Sequence, residues 1–308
     1  MTLTQLDKAA RFAQLHRGPR VFVMPNAWDA GTAQILAQLG FEALATSSAA
    51  RAQALGRRDG EITRDEALAH ARAIARATEL PVSADLENGF GDAPADAALT
   101  IRLAGEVGLA GGSIEDASGD ASHPIYDFNA AVDRVAAAVE AARALPFTFT
   151  LTARAENFIR GIPDLDDTIR RLQAFEKAGA DVLFAPALPS LEAVRTVCAS
   201  LTKPFSFMVS IKGKSFSVAQ LEAAGVRRIS TATSLYRAAM AGLRAAAREI
   251  RESGSFGYVE RLRGASPLRT RKSPDERGLI AEAKDAQACC LRRRAMKPTT
   301  PRPANISA

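Results

Sequence analysis

The chain has 308 residues, 47% of them hydrophobic and 24% charged, an ordinary globular composition with enough apolar residues for a core. No run of about eighteen apolar residues occurs, which excludes a helical membrane span. The formal net charge of +6 lies in the C-terminal segment, where residues 253–308 hold twelve Lys and Arg against five Asp and Glu, leaving the first 252 residues at −1; the body's charge therefore argues against nucleic acid as a partner.

The N-terminal "MTLTQLDKAARFAQLHRG" places charged and apolar residues at helical spacing and lacks the continuous apolar stretch of a secretory signal. After it, short β-branched or aromatic runs recur as strand candidates: "RVFVMP", "EALATSS", "PVSADLE", "GGSIED", "FTFTLTAR", "DVLFAP", "FSFMVS" and "RRISTAT". Helical segments such as "DAGTAQILAQLG", "TRDEALAHARAIARAT", "DAALTIRLAGEVG", "NAAVDRVAAAVEAARA" and "DLDDTIRRLQAFEKAG" lie between them. Asp29, Thr63 and Asp164 stand at N-cap positions, and Gly40, Gly108, Gly179 and Gly225 stand where helices should end.

Eight strand–helix alternations predict a (β/α)₈ barrel over residues 1–256 rather than an open doubly wound sheet, and no GxGxxG follows the first strand. After the last helix, "LYRAAMAGLRAAAREIRESG", residues 257–308 read as a basic, Pro- and Arg-rich, mostly disordered tail, by default solvated. The three cysteines, Cys198, Cys289 and Cys290, have no metal-type spacing and predict a reduced, cytoplasmic protein.

In such a barrel the C-terminal strand ends face the active-site mouth. Strand two ends in Thr46, Ser47 and Ser48, strand three in Asp85 and Glu87, strand four in Glu115 and Asp116, and strand five in Arg154 and Glu156, with Asn157 beside them. Asp85 and Glu87 are two apart, so both should leave one face of an extended strand, and Glu115 on the next strand can share that space. Three carboxylates at one mouth repel one another unless a cation sits among them, and oxygen ligands with retained waters suit Mg²⁺, with Mn²⁺ as the alternative. Arg154 offers a fixed guanidinium fork for a substrate carboxylate or a developing oxyanion. The structural alternatives are that Asp116 caps the next helix and that Glu87 pairs with Arg154.

The segments "MPNAWDAGTAQIL", "TSSAARAQALGRRDGE", "ADLENGFGD", "GGSIED" and "LTARAEN", in this order and spacing, resemble the isocitrate lyase/phosphoenolpyruvate mutase superfamily, in particular its short bacterial methylisocitrate lyase or phosphonomutase branch. The resemblance runs from about residue 20 to about 250 and implies a Mg²⁺-dependent barrel enzyme acting on small 2-oxo or 2-hydroxy acids. It implies a last helix swapped between subunits, giving a homodimer or homotetramer. By motif, Asp85 is then the direct metal ligand, and Glu87 and Glu115 act through metal-bound water. Arg154 binds substrate oxygens, Ser47 and Ser48 form a carboxylate-binding turn, and Asp59 positions the reacting group. The Gly-rich turn after Glu87 would let the loop pass close to the metal.

After "SIED" the resemblance breaks. The superfamily's lid carries a Lys-Lys-Cys-Gly-His motif in its lyases and an Asn- and Thr-bearing sequence in its phosphonopyruvate branch; here it reads "ASGDASHPIYDFNAAV". His123 or Tyr126 is the candidate to replace the missing acid/base; the alternative is that "HPIYD" only shapes the loop and packs its tyrosine. The expected activity is a carbon–carbon lyase acting on a small di- or tricarboxylic acid. Two alternatives stand beside it: an enzyme that moves or breaks the C–P bond of phosphonopyruvate, and a non-catalytic barrel binding an oxo acid or a partner.

Overall fold

Helices and short strands alternate along the chain as the sequence predicts, in a computed structural model that describes residues 3–262. The strands are β1 (Phe22–Met24), β2 (Leu44–Ala45), β3 (Val82–Asp85), β4 (Gly111–Glu115), β5 (Thr150–Arg154), β6 (Val182–Phe184), β7 (Phe205–Met208) and β8 (Arg228–Ser230). The helices are α1 (Gln5–Arg17), α2 (Ala30–Gln38), α3 (Ser48–Ala54), α4 (Arg64–Arg76), α5 (Pro94–Glu106), α6 (Phe128–Arg143), α7 (Leu165–Lys177), α8 (Leu191–Ala199), α9 (Val218–Ala223) and α10 (Ser234–Ser253). All ladders are parallel, in the order β1-β8-β7-β6-β5-β4-β3-β2. A single bridge from Asn26 to Ala45 joins the two ends. This is the (β/α)₈ barrel.

The asparagine of "MPNAWD" supports that closure with its side chain. Asn26 Nδ2 donates to the Thr46 carbonyl at 2.6 Å, and its Oδ1 accepts from the Thr231 N–H at 3.0 Å. One side chain thus satisfies a backbone carbonyl just past β2 and a backbone N–H just past β8.

Local chemistry sets the helix ends. Asp29, Thr63 and Asp164 cap α2, α4 and α7, each accepting an N–H three residues on. Gly40, Gly108, Gly179 and Gly225 all follow helices with φ between 87° and 107°. The sequence did not suggest α3: the strand expected at "EALATSS" stops at Ala45, and Ser47 instead caps a seven-residue helix.

Helix α1 lies against the start of the barrel. A side chain on Gly111, the first residue of β4, would meet the Phe12 ring at 2.8 Å, so only glycine lets the helix approach this closely. His16 is stacked edge-on between Phe12 and Phe22, with ring centroids 4.7 and 5.0 Å away. Burial, reinforced by the neighbouring Arg228 charge, lowers its pKa from 6.5 to about 3. Between about pH 3 and 6.5 the unfolded chain therefore binds a proton that the native barrel refuses, and stability falls as pH drops through that window. The expected slope reaches roughly 1.4 kcal/mol per pH unit. Urea unfolding at pH 7, 6 and 5 should show a flatter slope for His16→Gln than for the native protein; equal slopes would contradict the assignment.

Beyond Ser253, inside the expected tail, the described residues include a turn and a 3-10 helix (Val259–Arg261), with the Tyr258 N–H donating to Glu249 at 3.2 Å. The rest of the tail, with Cys289 and Cys290, lies outside the described residues. Among the described residues no helix is long and apolar enough to cross a membrane.

Candidate active site

Strand register brings the charged ends together. Asp85 pairs with Ser113, and Glu115 pairs with Arg154, so Glu115 and Arg154 sit side by side on neighbouring strands. A cavity of about 620 Å³ opens there, lined among others by Ser48, Asp59, Asp85, Glu87, Glu115 and Arg154. Arg154 is the hub. Its Nη1 lies 3.4 Å from Asp85 Oδ1 and 3.0 Å from Glu115 Oε2, and its Nε donates to Glu156 Oε1 at 2.6 Å. Burial works against its charge, but Glu115, Glu156 and Asp85 outweigh that and raise its pKa.

Arg160 was not singled out in the sequence, and Glu156, named there at the end of strand five, was given no role. The Glu156 side chain is 1% exposed and joins Arg154 to Arg160, whose Nε is 3.2 Å from Glu156 Oε2 and whose Nη2 is 3.0 Å from Glu115 Oε1. The Glu-x-x-x-Arg spacing was the available signal. It was hidden because these residues lie past the strand end, where no period predicts direction.

Asp85 is fixed from the β2 side. Its N–H donates to Thr46 Oγ1 at 3.0 Å, while its Oδ2 accepts from the Ser48 N–H at 3.2 Å and the Ser48 hydroxyl at 2.9 Å. The Ser48 hydroxyl also lies 3.0 Å from Asp59 Oδ1, which brings Asp59 into the cluster. Ser47 and Ser48, expected to form a carboxylate-binding turn, are already engaged within the chain. Ser47 Oγ caps α3, and the Ser48 donors are spent on Asp85.

Glu87 reaches the cavity by a route other than the one expected. Strand β3 ends at Asp85, and Glu87 takes a left-handed conformation (φ 49°), so simple strand alternation does not place it. Nor does it pair with Arg154. Its Oε1 is buried without a hydrogen-bond partner. Burial, together with the Asp85 and Asp59 charges, pushes its pKa up to about 8. Asp59 and Glu115 are also raised, first by burial; Asp85 adds to both, while Arg154 opposes both.

The first glycine after Glu87 has a packing role. A Cβ on Gly89, which has φ 89°, would lie 2.8 Å from Ala97 Cα on α5. Arg134 holds the same turn, donating to the Asn88, Asp92 and Ala93 carbonyls.

Of the lid, Ala117 and Gly119 line the cavity, whereas His123 and Tyr126 do not. The Ser118 N–H bonds to the Pro124 carbonyl and the Tyr126 N–H to the Asp116 carbonyl, folding the segment back on itself. His123 is left 84% exposed, 3.6 Å from Asp120. The Tyr126 hydroxyl donates to Asp92 Oδ1 at 2.7 Å and accepts from Asn88 Nδ2 at 3.0 Å, and burial with the Asp92 contact raises its pKa to about 12. The structure therefore supports the packing reading of "HPIYD". Asp116 is not a helix cap: it accepts from the Glu156 N–H at 2.8 Å and from Arg171 at 3.0 Å.

The donor set fits a hard divalent cation. Among the described residues, the close ion pairs of Asp85, Glu115 and Glu156 are with Arg154 and Arg160, Asp59 and Glu87 form none, and one buried Glu87 oxygen has no donor. Among the described residues no three Asp, Glu, His or Cys side chains converge as a direct ligand cage.

Comparison with known proteins adds a family. The family model described as phosphoenolpyruvate phosphomutase matches residues 12–251. The 2-methylisocitrate lyase of Aeropyrum pernix is 30% identical over 247 residues, covering 76% of this chain and 77% of that protein. A crystal structure from Burkholderia cenocepacia J2315, placed only broadly as a lyase/mutase, is 50% identical with a TM-score of 0.82, covering 85% of this chain and 93% of the other. The crystal structure of a 2,3-dimethylmalate lyase is 26% identical with a TM-score of 0.79, covering 91% and 99%.

Proposed function

The chain belongs to the phosphoenolpyruvate phosphomutase family, and on that premise we propose that it is a divalent-cation-dependent carbon–carbon lyase acting on a small 2-oxo or 2-hydroxy di- or tricarboxylic acid. The observation that carries this reading is the excess of carboxylates at the mouth, with Glu87 Oε1 buried and unpartnered beside Asp85. The lyase names of the relatives support the carbon–carbon reaction. Asp85, Glu87 and Glu115 would hold Mg²⁺ or Mn²⁺. When bound, such an ion supplies Lewis-acid stabilisation of the charge that builds on an enolate oxygen.

The chain's own residues do the rest. Arg154, locked by Glu115 and Glu156, presents a guanidinium that cannot lose its proton and that faces a developing oxyanion without reorganising. Ser48 ties Asp85 to Asp59, and Asp59 lies where it can position the group that departs. Burial of the cluster strengthens each of these interactions.

The test is an NMR assay of the purified protein with Mg²⁺ against 2-methylisocitrate, isocitrate, oxaloacetate, 2-alkylmalates and phosphonopyruvate. Cleavage of one of the carboxylic acids is expected. Turnover of phosphonopyruvate alone would move the protein to the C–P branch, and no turnover of any would favour a non-catalytic binder.

A homo-oligomer is part of the same proposal. Helix α10 has 20 residues, yet only Tyr236 is buried, and Leu243 and Ile250 are exposed. A 20-residue amphipathic helix of this kind buries its apolar stripe against something, here a second copy of the chain. Light scattering should give the mass of a dimer or tetramer; a monomer would contradict this.

A further inference from the structure

Three arginines are buried in the described residues, and two have ordinary compensation. Arg171 pairs with Asp116 and Asp167, and Arg134 donates to three backbone carbonyls. Arg228, at the start of β8, is 3% exposed and has neither. Its Nε donates to Ser206 Oγ at 3.0 Å and its Nη2 to Thr152 Oγ1 at 3.1 Å. Its Nη1 lies 3.3 Å from His16 Nε2. His16 Nδ1 is 2.9 Å from the Phe12 carbonyl, which can only accept, so Nδ1 carries the hydrogen and Nε2 is the acceptor. Every partner of Arg228 is therefore neutral.

A guanidinium has five N–H donors, and three are committed here. Burial alone acts on the group and lowers it to about 9, with no acidic neighbour opposing it, so it is charged at neutral pH. Arg228, the first residue of β8, also lines the barrel cavity, with Ser206 opposite it on β7 and Ser83 near the start of β3. A charge this deeply buried is normally paired. Here no acidic partner stands among the described residues, while a lined space adjoins the donors.

We propose that the inner end of the barrel cavity is an anion site, in which Arg228 and the surrounding serine hydroxyls receive a small anionic group, either a free inorganic ion or a carboxylate of an organic acid. The site goes beyond the proposed lyase reaction: it lies at the opposite end of the strands from Asp85 and Arg154 and needs no divalent cation. Both sources offer the same chemistry, a compact negative charge that accepts N–H and O–H donors. An organic acid seated there would extend along the barrel axis and select for length.

Crystals of the full-length native protein, prepared without halide, are soaked either in sodium bromide or in sodium succinate. An anomalous bromide peak in hydrogen-bond contact with Arg228 is expected, and its loss in Arg228→Gln would assign the charge to that side chain. A succinate carboxylate at the same place would identify the organic-acid source, and bromide without succinate would identify the inorganic one. Ordered water alone against Arg228 in both soaks, or bromide bound only elsewhere, would overturn the proposal. So would bromide retained in Arg228→Gln. If that variant does not fold, the native crystals decide alone. The outcome is independent of turnover, so it stands or falls separately from the lyase reading.

Discussion

Asp85→Ala is expected to lower turnover by about 10³-fold or more, equivalent to roughly 4 kcal/mol of transition-state stabilisation, while leaving the barrel folded. Asp85 closes β3 at the point where the Ser48 N–H, the Ser48 hydroxyl and Arg154 converge on one carboxylate. That convergence orients its oxygens into the mouth, where a direct ligand is needed. The substitution removes a charge that raises both Glu87 and Asp59. It leaves Arg154 with Glu115 and Glu156. The loss should therefore appear in catalysis and not in melting temperature. Turnover within tenfold of native would show that Asp85 has no direct role in the chemistry.

Arg154→Met should cost both activity and stability. Its removal leaves Glu115 and Glu156 buried, with only the half-exposed Arg160 between them. Breaking a buried ion pair from one side typically costs about 3–5 kcal/mol, because the remaining charge has no compensation. Urea unfolding should show a loss of that order, and adding Glu156→Gln should recover part of it by removing one stranded acid. Arg154→Lys keeps the charge but loses the planar fork that spans Asp85, Glu115 and Glu156, so it should fold better than the methionine variant and still turn over poorly. A methionine variant as stable as native would mean that the carboxylates are protonated or otherwise satisfied without Arg154.

Much of this was readable before any coordinates. The eight apolar runs and the helical segments between them fix the barrel, because each strand is buried on both faces and each helix on one. Asp85, Glu115 and Arg154 follow from the rule that strand ends face the mouth. What lay past those ends was less legible. Glu87 was assigned by strand alternation, but the strand had already ended, and a left-handed backbone brings it to the cavity instead. Ser48 was read as part of a carboxylate-binding turn; only tertiary contact shows its hydroxyl and N–H directed at Asp85. His123 was a candidate because an imidazole exchanges protons near neutral pH, and Tyr126 stood beside it; the hydrogen bonds that fold this segment back on itself have no signature in sequence. Arg228 is an unremarkable basic residue in "RRISTAT" until β8 places it inside the barrel.

The central claim is that the carboxylates at the mouth hold one divalent cation, and Mn²⁺ binding followed by electron paramagnetic resonance tests it without knowledge of the substrate. The account predicts one Mn²⁺ per chain, displaced by Mg²⁺, lost in Asp85→Ala and weakened in Glu87→Gln. Binding absent from the native protein, or unchanged in Asp85→Ala, would contradict it.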